Sequence, residues 1–446
     1  MIRALILLLV TTIAILFGGT PDWARGVGMA GIGLITLTSG YAIWRTDHPA
    51  LSPAEKMAGL LFALVAGWSF VTILPGSASW IGGGATGQVA QTLNIVGPST
   101  ISVAPDTTRE ALLWFVGLGA WAYCVHLAAR RHLSFARTAL WSVAAIVVAF
   151  AFYGLVLRML GLELVLWHEK QAYVGAMTGP FINKNHFATL LGIGLVCVTA
   201  LMFEIRDRAP RQARMRDHGV GSSVAGIRFE RIAALIMAFG VLITALILTQ
   251  SRAGVGASLF GLFVVLLCGL MAGRRRALPI IVAAGLAGFA VLIAFFVQDD
   301  GLRQRLEMTE GALQGRLALY ESVADISLEN PLTGTGLGTF EQVFRMKKPD
   351  GIHHYFDVAH NTYLELGFEL GWPATLAILA LFLLLGTALL SALIRHSNRP
   401  APYLAAIGAS AVVGSHALFD FSLQIPAITL IYLMLFAAAL GHDRAR

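Results

Sequence analysis

Four side chains able to do chemistry stand where apolar segments give way to polar connections: Arg252, Arg316, His360 and Asp420. Arg252 lies in Thr249-Gln250-Ser251-Arg252-Ala253-Gly254, a very short turn between two apolar runs. Ser251 is placed to cap the helix that follows. A cation at a helix N-terminus opposes the helix dipole, so Arg252 is well placed there only if an anion joins it, and a phosphate would satisfy both. The competing reading is an arginine that snorkels to lipid headgroups. Gly179-Pro180-Phe181-Ile182-Asn183-Lys184-Asn185-His186 repeats the logic, with Lys184 at a helix entrance as a second anion contact. Asn183 and Asn185 stand with it as polar contacts, against the alternative of an ordinary loop with a capping asparagine. Arg316 is expected to begin an amphipathic surface helix, with a surface ion pair as its alternative role, and Arg303 and Arg305 precede it in more solvated sequence. His353, His354 and His360 precede a later apolar run, with His360-Asn361 nearest to it. A neutral imidazole with an ordinary pKa of about 6.5 accepts a proton from a hydroxyl near neutral pH, so His360 is the general-base candidate. No paired thiolate or His-Glu-x-x-His spacing points to a metal, and none is expected. Asp420, between Phe419 and Phe421, is a carboxylate at the edge of an apolar run; such groups have a partner, here Arg252, Arg316 or His360, or else cap a helix.

These residues are set in a chain of 446 residues that is 57% hydrophobic and 13% charged, with a mean hydropathy of +0.73. Soluble domains carry roughly 25% charged residues. A bilayer core takes about 20 apolar residues per helical crossing, and such runs recur along the whole chain. The expected fold is therefore an all-α polytopic membrane protein of about 12 transmembrane helices, a single integral membrane domain over 1–446. The spans run from about Ala4 to Phe17, Val27 to Trp44, Met57 to Leu74, Ala111 to Ala128, Thr138 to Leu157, Asn185 to Phe203, Ile232 to Leu248, Gly254 to Met271, Leu278 to Val297, Trp372 to Ile394, Tyr403 to Phe419 and Ile425 to Leu440. The first is short, and a signal peptide is its alternative reading. Cys124, Cys197 and Cys268 all fall in apolar runs and read as small hydrophobes, not as disulfides or metal ligands. The net charge of +7 is scattered over short loops with no basic aromatic face, so no nucleic-acid partner is expected.

Arginines gather in alternate connections: Arg130, Arg131 and Arg137; Arg206 through Arg231; Arg274, Arg275 and Arg276; Arg395 and Arg399; and the tail with Arg444 and Arg446. Because cytoplasmic loops collect Lys and Arg, both termini are expected inside and the other connections outside. Those outer connections, Pro75 to Glu110, Arg158 to Lys184 and Gln298 to Gly371, are long and rich in Gly, Pro, Ser and Asn. The last, residues 298–371, is a large extramembrane loop module. Within it Leu317, Tyr320, Ala324 and Leu328 recur at helical spacing until Asn330-Pro331 ends the pattern, which predicts a helix along the membrane surface. Gly334, Gly336 and Gly338 mark a turn; no strand precedes them, so they are not a dinucleotide loop.

Taken in order, these motifs resemble the O-antigen ligase and polymerase superfamily of bacterial membrane glycosyltransferases. Gly179 to Ala188 looks like its Gly/Asn-rich entry to a span, and Ser251-Arg252-Ala253-Gly254 like its Ser-Arg-Gly turn, with Ala253 where a glycine is common. Arg316 followed by Asn330-Pro331-Leu332-Thr333-Gly334-Thr335-Gly336 is similar to its large-loop signature. Ala359-His360-Asn361, Glu369-Leu370-Gly371 and Phe419-Asp420-Phe421 before Pro426 complete it. The landmarks cover roughly Gly179 to Pro426, and the amino-terminal third carries no diagnostic motif.

The resemblance implies a glycosyltransferase of the bacterial inner membrane, active at the periplasmic face and needing no cofactor; a single displacement would invert the anomeric centre, and because no carboxylate pair in the outer connections announces a divalent ion, metal independence is expected. Its donor would be a glycan on undecaprenyl pyrophosphate, and its acceptor a hydroxyl of lipid A core or of another glycan, with membrane lipids around it. Arg252 and Arg316 would stabilise the leaving pyrophosphate, His360 would deprotonate the acceptor and Asp420 would position a partner. Lys184, Asn183, Asn185 and Asn361 would bind substrate. A polymerase of the same superfamily is the near alternative. A polysaccharide or lipid transporter is the distant one, disfavoured because polar residues collect at one water interface instead of the bilayer midplane.

Overall fold

The computed structural model describes residues 1–44, 50–81, 99–207, 221–272, 302–349 and 355–444. The expected ninth span, Arg274 to Arg276, and His353 and His354 lie outside the described residues, as does Arg446. The chain is helical almost throughout: α1 (Ile2–Ile15), α2 (Asp22–Trp44), α3 (Pro53–Thr72), α4 (Pro105–Arg131), α5 (Phe135–Met159), α6 (Lys184–Asp207), α7 (Gly221–Leu248), α8 (Arg252–Met271), α9 (Leu302–Glu329), α10 (Phe340–Lys347), α11 (Thr362–Leu370), α12 (Trp372–Arg395), α13 (Ala401–His416) and α14 (Pro426–Arg444). Among the described residues the one strand pairing is a small antiparallel hairpin, Leu164–Val165 with His168–Glu169.

Eight of these helices are long and apolar enough to cross a membrane: α3 to α8, α12 and α14. The expected first span is the shorter apolar helix α1, and the expected second and eleventh coincide with α2 and α13. Helix α6 lies at the centre, buried along nearly its whole length against α8 and α13, while α14 packs on α4 and α12 on α3. The close approach is made by small residues. A Cβ on Gly254 of α8 would stand 2.4 Å from Cβ of Ala188 on α6, and one on Gly408 of α13 would stand 2.3 Å from Val265 of α8. Between membrane helices, where lipid supplies no hydrophobic drive, such contact distances are what packing energy depends on.

Contacts between helix termini mark two ends of the bundle. One end gathers the arginines. There Arg137 pairs with Glu204 at 3.0 Å, Arg130 donates to the Ala50 carbonyl at 3.2 Å and Arg395 pairs with Asp443 at 2.8 Å. The N-terminal amine and Arg3 both act on His132 at that same end. The other end carries the connections that are rich in glycine and asparagine, with helices α9 to α11.

Helices α9 to α11 share a small core of their own, in which Leu319, Val323 and Ile326 of α9 pack with Phe340, Phe344 and Phe368. Two expectations change here. Arg316 does not begin the surface helix, because α9 starts at Leu302 and already includes Arg303 and Arg305. Its first turns hold Arg, Gln, Glu, Leu and Met, all good helix formers, and no proline, so nothing stops the helix from extending backwards. The buried stripe is also shifted: Leu317 and Leu328 are exposed, and Leu319, Val323 and Ile326 face inward.

The Asn330 to Gly336 turn finishes helix α11. The last carbonyls of a helix lack partners within it, and here the Thr335 amide donates to Phe368 O and Glu369 O at 3.1 Å, and the Gly336 amide to Glu369 O at 2.8 Å. Gly334 is required at this turn: its φ is 67°, and a Cβ would lie 2.2 Å from the Glu369 carbonyl. Glu369 in turn caps α10, its carboxylate accepting from the Gly338 and Phe340 amides at 2.8 and 3.0 Å. The amino-terminal third braces the same module through Trp68 Nε1 to Leu370 O at 3.1 Å and Val103 N to Thr335 O at 2.9 Å.

Candidate active site

The site is assembled at the end of the bundle opposite the arginine clusters. Ser251 caps α8, its Oγ accepting from the Gly254 amide at 3.2 Å and donating to Asn185 Oδ1 at 2.8 Å. That second bond ties the start of α8 to the start of α6. Arg252, the first residue of α8, is exposed there, and its charge acts on Lys184, the first residue of α6. The Lys184 ammonium donates to Gln250 O at 3.2 Å and lies 5.9 Å above the Tyr173 ring. Two positive charges and two helix N-termini thus share one corner, an arrangement that favours an anion.

Tyr173 joins this corner to the rest of the site. Its phenol is pushed up from the ordinary value first by burial, and it also feels the charges of Asp420, Arg316 and Asp357. Arg316, exposed on α9, acts on His360 and on Tyr320 as well. Arg252 and Lys184 are thus linked through Tyr173 to Arg316, His360 and Asp420, although separate elements supply them.

His360 is half-buried between Phe356 and Phe421, with ring centroids 6.3 and 5.3 Å away. Its Nδ1 is buried and has no hydrogen-bond partner among the described residues. Burial lowers its pKa below the usual imidazole value; Arg316 lowers it further, while Asp420 and Asp357 oppose the shift. The imidazole is therefore neutral at neutral pH, the form a proton acceptor needs.

Asp420 is fully buried, deeper than a residue at the edge of a span needs to be. Its Oδ2 accepts from Ser422 Oγ at 2.5 Å and stands 3.9 Å from His186 Nε2. Ser422 also meets Thr189, at 2.9 Å, and His416 Nδ1, at 3.3 Å; Thr189 Oγ1 and His416 Nδ1 are 2.5 Å apart. Neither Arg252 nor Arg316 is the direct hydrogen-bond partner of the carboxylate: a chain of two hydroxyls and an imidazole takes that place. Among the described residues Asp420 Oδ1, His186 Nε2 and His416 Nε2 are buried without a hydrogen-bond partner, polar atoms of the kind that hold ordered water.

The asparagines divide. Asn185 links α6 to α8, whereas Asn183 accepts from the Asn185 amide at 2.9 Å and Asn361 caps α11 by accepting from the Tyr363 and Leu364 amides at 3.1 Å. The oxygens of all three side chains are thus engaged within the protein. Sequence reading singled out the charged groups but passed over Thr189, His416, Ser422, Tyr173, Tyr320 and Glu365. The one local signal was Asp420-x-Ser422 beside a buried histidine; Thr189 and His416 are 227 positions apart. Among the described residues no group of His, Cys, Asp and Glu is arranged to hold a metal ion.

Three residues here hold positive φ without being glycine: Tyr173 at 56°, Gln250 at 55° and His360 at 52°. Such conformations persist only where surrounding contacts impose them, and they gather at functional sites. No curated protein matches the chain. Residues 233–379, a stretch that contains Arg252, Arg316 and His360, match the family described as O-antigen ligase, which supports the resemblance to the O-antigen ligase superfamily.

Proposed function

We propose that the protein is a ligase-like glycosyltransferase that moves a glycan from undecaprenyl pyrophosphate to an acceptor hydroxyl at the periplasmic face of the bacterial inner membrane. The observation that carries this reading is the meeting of Lys184, Arg252 and Arg316 with a neutral, half-buried His360 at one end of a membrane bundle. Pyrophosphate is an anion that guanidinium groups bind through paired hydrogen bonds. As the acceptor oxygen attacks the anomeric carbon, the bond from that carbon to the pyrophosphate oxygen breaks, and the electron pair leaves with the carrier. Arg252 and Arg316 stabilise that growing charge, with Lys184 as a point charge beside them. His360 takes the proton of the acceptor hydroxyl, and Asp420 holds the neighbouring imidazoles in place. One displacement of this kind inverts the anomeric centre. The isoprenoid tail stays in lipid.

A ligase delivers finished polysaccharide to lipid A core, whereas a polymerase extends the glycan on its own carrier; these residues serve either. The deciding experiment reconstitutes the protein in vesicles with a lipid-pyrophosphate glycan and offers lipid A core and carrier-linked glycan as competing acceptors. Product on lipid A core supports the ligase, and longer carrier-linked glycan supports the polymerase. Glycan crossing the bilayer without any new glycosidic bond would overturn both in favour of a transporter. Transfer should also survive chelation; loss restored by a divalent ion would defeat the metal-independent scheme.

A further inference from the structure

His360 holds its left-handed backbone through side chains that lie outside its own loop turn. On its N-terminal side, the Ala359 amide donates to Glu365 Oε2 at 2.8 Å. On its C-terminal side, the His360 carbonyl accepts from the Tyr320 hydroxyl at 2.9 Å, and that hydroxyl also lies 3.4 Å from the Leu418 carbonyl. Both clamps reach further groups of the site. Glu365 Oε1 accepts from Gln424 Nε2 at 2.7 Å, on the connection that carries Asp420. Tyr320 stands four residues after Arg316 on α9, one turn along the same face.

We infer that Tyr320 and Glu365 are positioning residues for His360, fixing the peptide groups around it so that its ring faces Phe421 and lies within reach of Arg316 and Asp420. Neither touches the reacting atoms. Glu365 is almost fully buried, and burial raises its carboxyl above the usual range. A carboxyl in that position is retained against its desolvation cost because both oxygens are engaged, one on each loop. Tyr320 supplies a single hydroxyl, so its removal changes the clamp without changing the packing of the ring. The inference rests on the proposed glycosyl transfer only for its effect on rate; its effect on the imidazole is readable separately.

The test uses the full chain in lipid nanodiscs. Exchange of the His360 ring C2 hydrogen, followed by mass spectrometry across pH, gives the titration midpoint of that one imidazole, and transfer kinetics are measured in parallel. The groups whose charges act on the ring are Asp420 from the α13–α14 connection, Arg316 from α9 and Asp357 from its own loop, while His186 of α6 is itself acted on by His360. They are unchanged in every variant. Tyr320→Phe and Glu365→Ala should loosen the loop, expose the ring and raise its midpoint towards the ordinary value of about 6.5. The kcat should fall about tenfold, the worth of one lost hydrogen bond, with the donor KM unchanged. Glu365→Gln keeps one oxygen for the Ala359 amide and an NH2 that donates to Gln424 Oε1 once the Gln424 amide turns over, and should restore both readouts to near wild type. Wild-type midpoints in both Tyr320→Phe and Glu365→Ala would overturn the inference. So would a Glu365→Gln variant as impaired as Glu365→Ala with the His360 midpoint unmoved. If the wild-type protein makes no transfer product, the proposed function fails, and the His360 midpoint still decides the positioning role.

Discussion

The residue that bears most on the chemistry is His360, because its surroundings fix its protonation state. Burial, assisted by Arg316, keeps its pKa below the free value, against the pull of Asp420 and Asp357. A base acts in its neutral form, and a lowered pKa keeps that form present to lower pH. The acid limb of kcat/KM should therefore fall below about pH 6.5, the ordinary imidazole value. A limb centred well above that value would exclude His360 as the group being titrated. His360→Ala should abolish transfer while leaving abundance and membrane insertion intact, checked by immunoblot of washed membranes beside the transfer assay. For Arg252 the planar fork matters as much as the charge. Arg252→Lys should lower kcat/KM for the lipid-pyrophosphate donor about 10- to 100-fold, on the scale of one charge-assisted hydrogen bond of about 1.5–3 kcal/mol; unchanged donor use would mean the side chain serves lipid headgroups instead. At this scale the sequence was most legible for groups whose charge stands out in apolar surroundings, namely Arg252, Lys184, Arg316, His360 and Asp420. It was silent on Thr189, Ser422 and Glu365, ordinary residues in sequence whose partners come from other loops and helices.

At the scale of elements, the helices follow from apolar run length, and their ends from short-range chemistry such as the Ser251 cap and the Asn330-Pro331 stop. The start of α9 was not legible, because apolar spacing marks only the packed part of a helix, and its first turns carry few apolar residues. The Thr333 to Gly336 signature was legible as a turn, but its purpose, closing the carbonyl end of α11, needs a partner helix that sequence order does not reveal. Packing between helices offers a sharper test. Gly254 sits where α8 crosses α6, and an added methyl would meet Ala188 Cβ, which cannot rotate away. Gly256, two positions along the same helix, has nothing within 4 Å of an added Cβ. Gly254→Ala should cost about 1–3 kcal/mol as overpacking, while Gly256→Ala should be neutral or stabilise by up to about 1 kcal/mol through helix propensity. Thermal unfolding of the purified protein in one detergent compares the pair directly. Equal melting temperatures would mean that the crossing is looser than its geometry requires. Because Gly254 lies two residues from Arg252, its substitution should also depress transfer by displacing the start of α8.

For the whole molecule, the remaining question is which end faces which compartment. The bundle itself separates the two ends: the start of α1, the end of α14 and the pairs Arg137–Glu204 and Arg395–Asp443 lie at one end, the site at the other. Positive charge in short loops is retained on the cytoplasmic side during insertion, so the arginine end should be inside and the site outside. The three cysteines are buried, which leaves a quiet background for single introduced thiols. Val174→Cys, at a position 67% exposed near Tyr173, should react in intact spheroplasts with a maleimide that cannot cross membranes. Leu133→Cys, at a position 50% exposed between α4 and α5, should react only after the membrane is opened. The reverse pattern would invert the orientation and move the chemistry to the cytoplasm, where nucleotide-activated donors are available and a lipid-pyrophosphate donor would no longer be the natural choice. Reaction of both thiols in intact spheroplasts would contradict the separation of the two bundle ends that keeps Lys184, Arg252 and His360 apart from the arginine clusters, and with it the physical basis of the site.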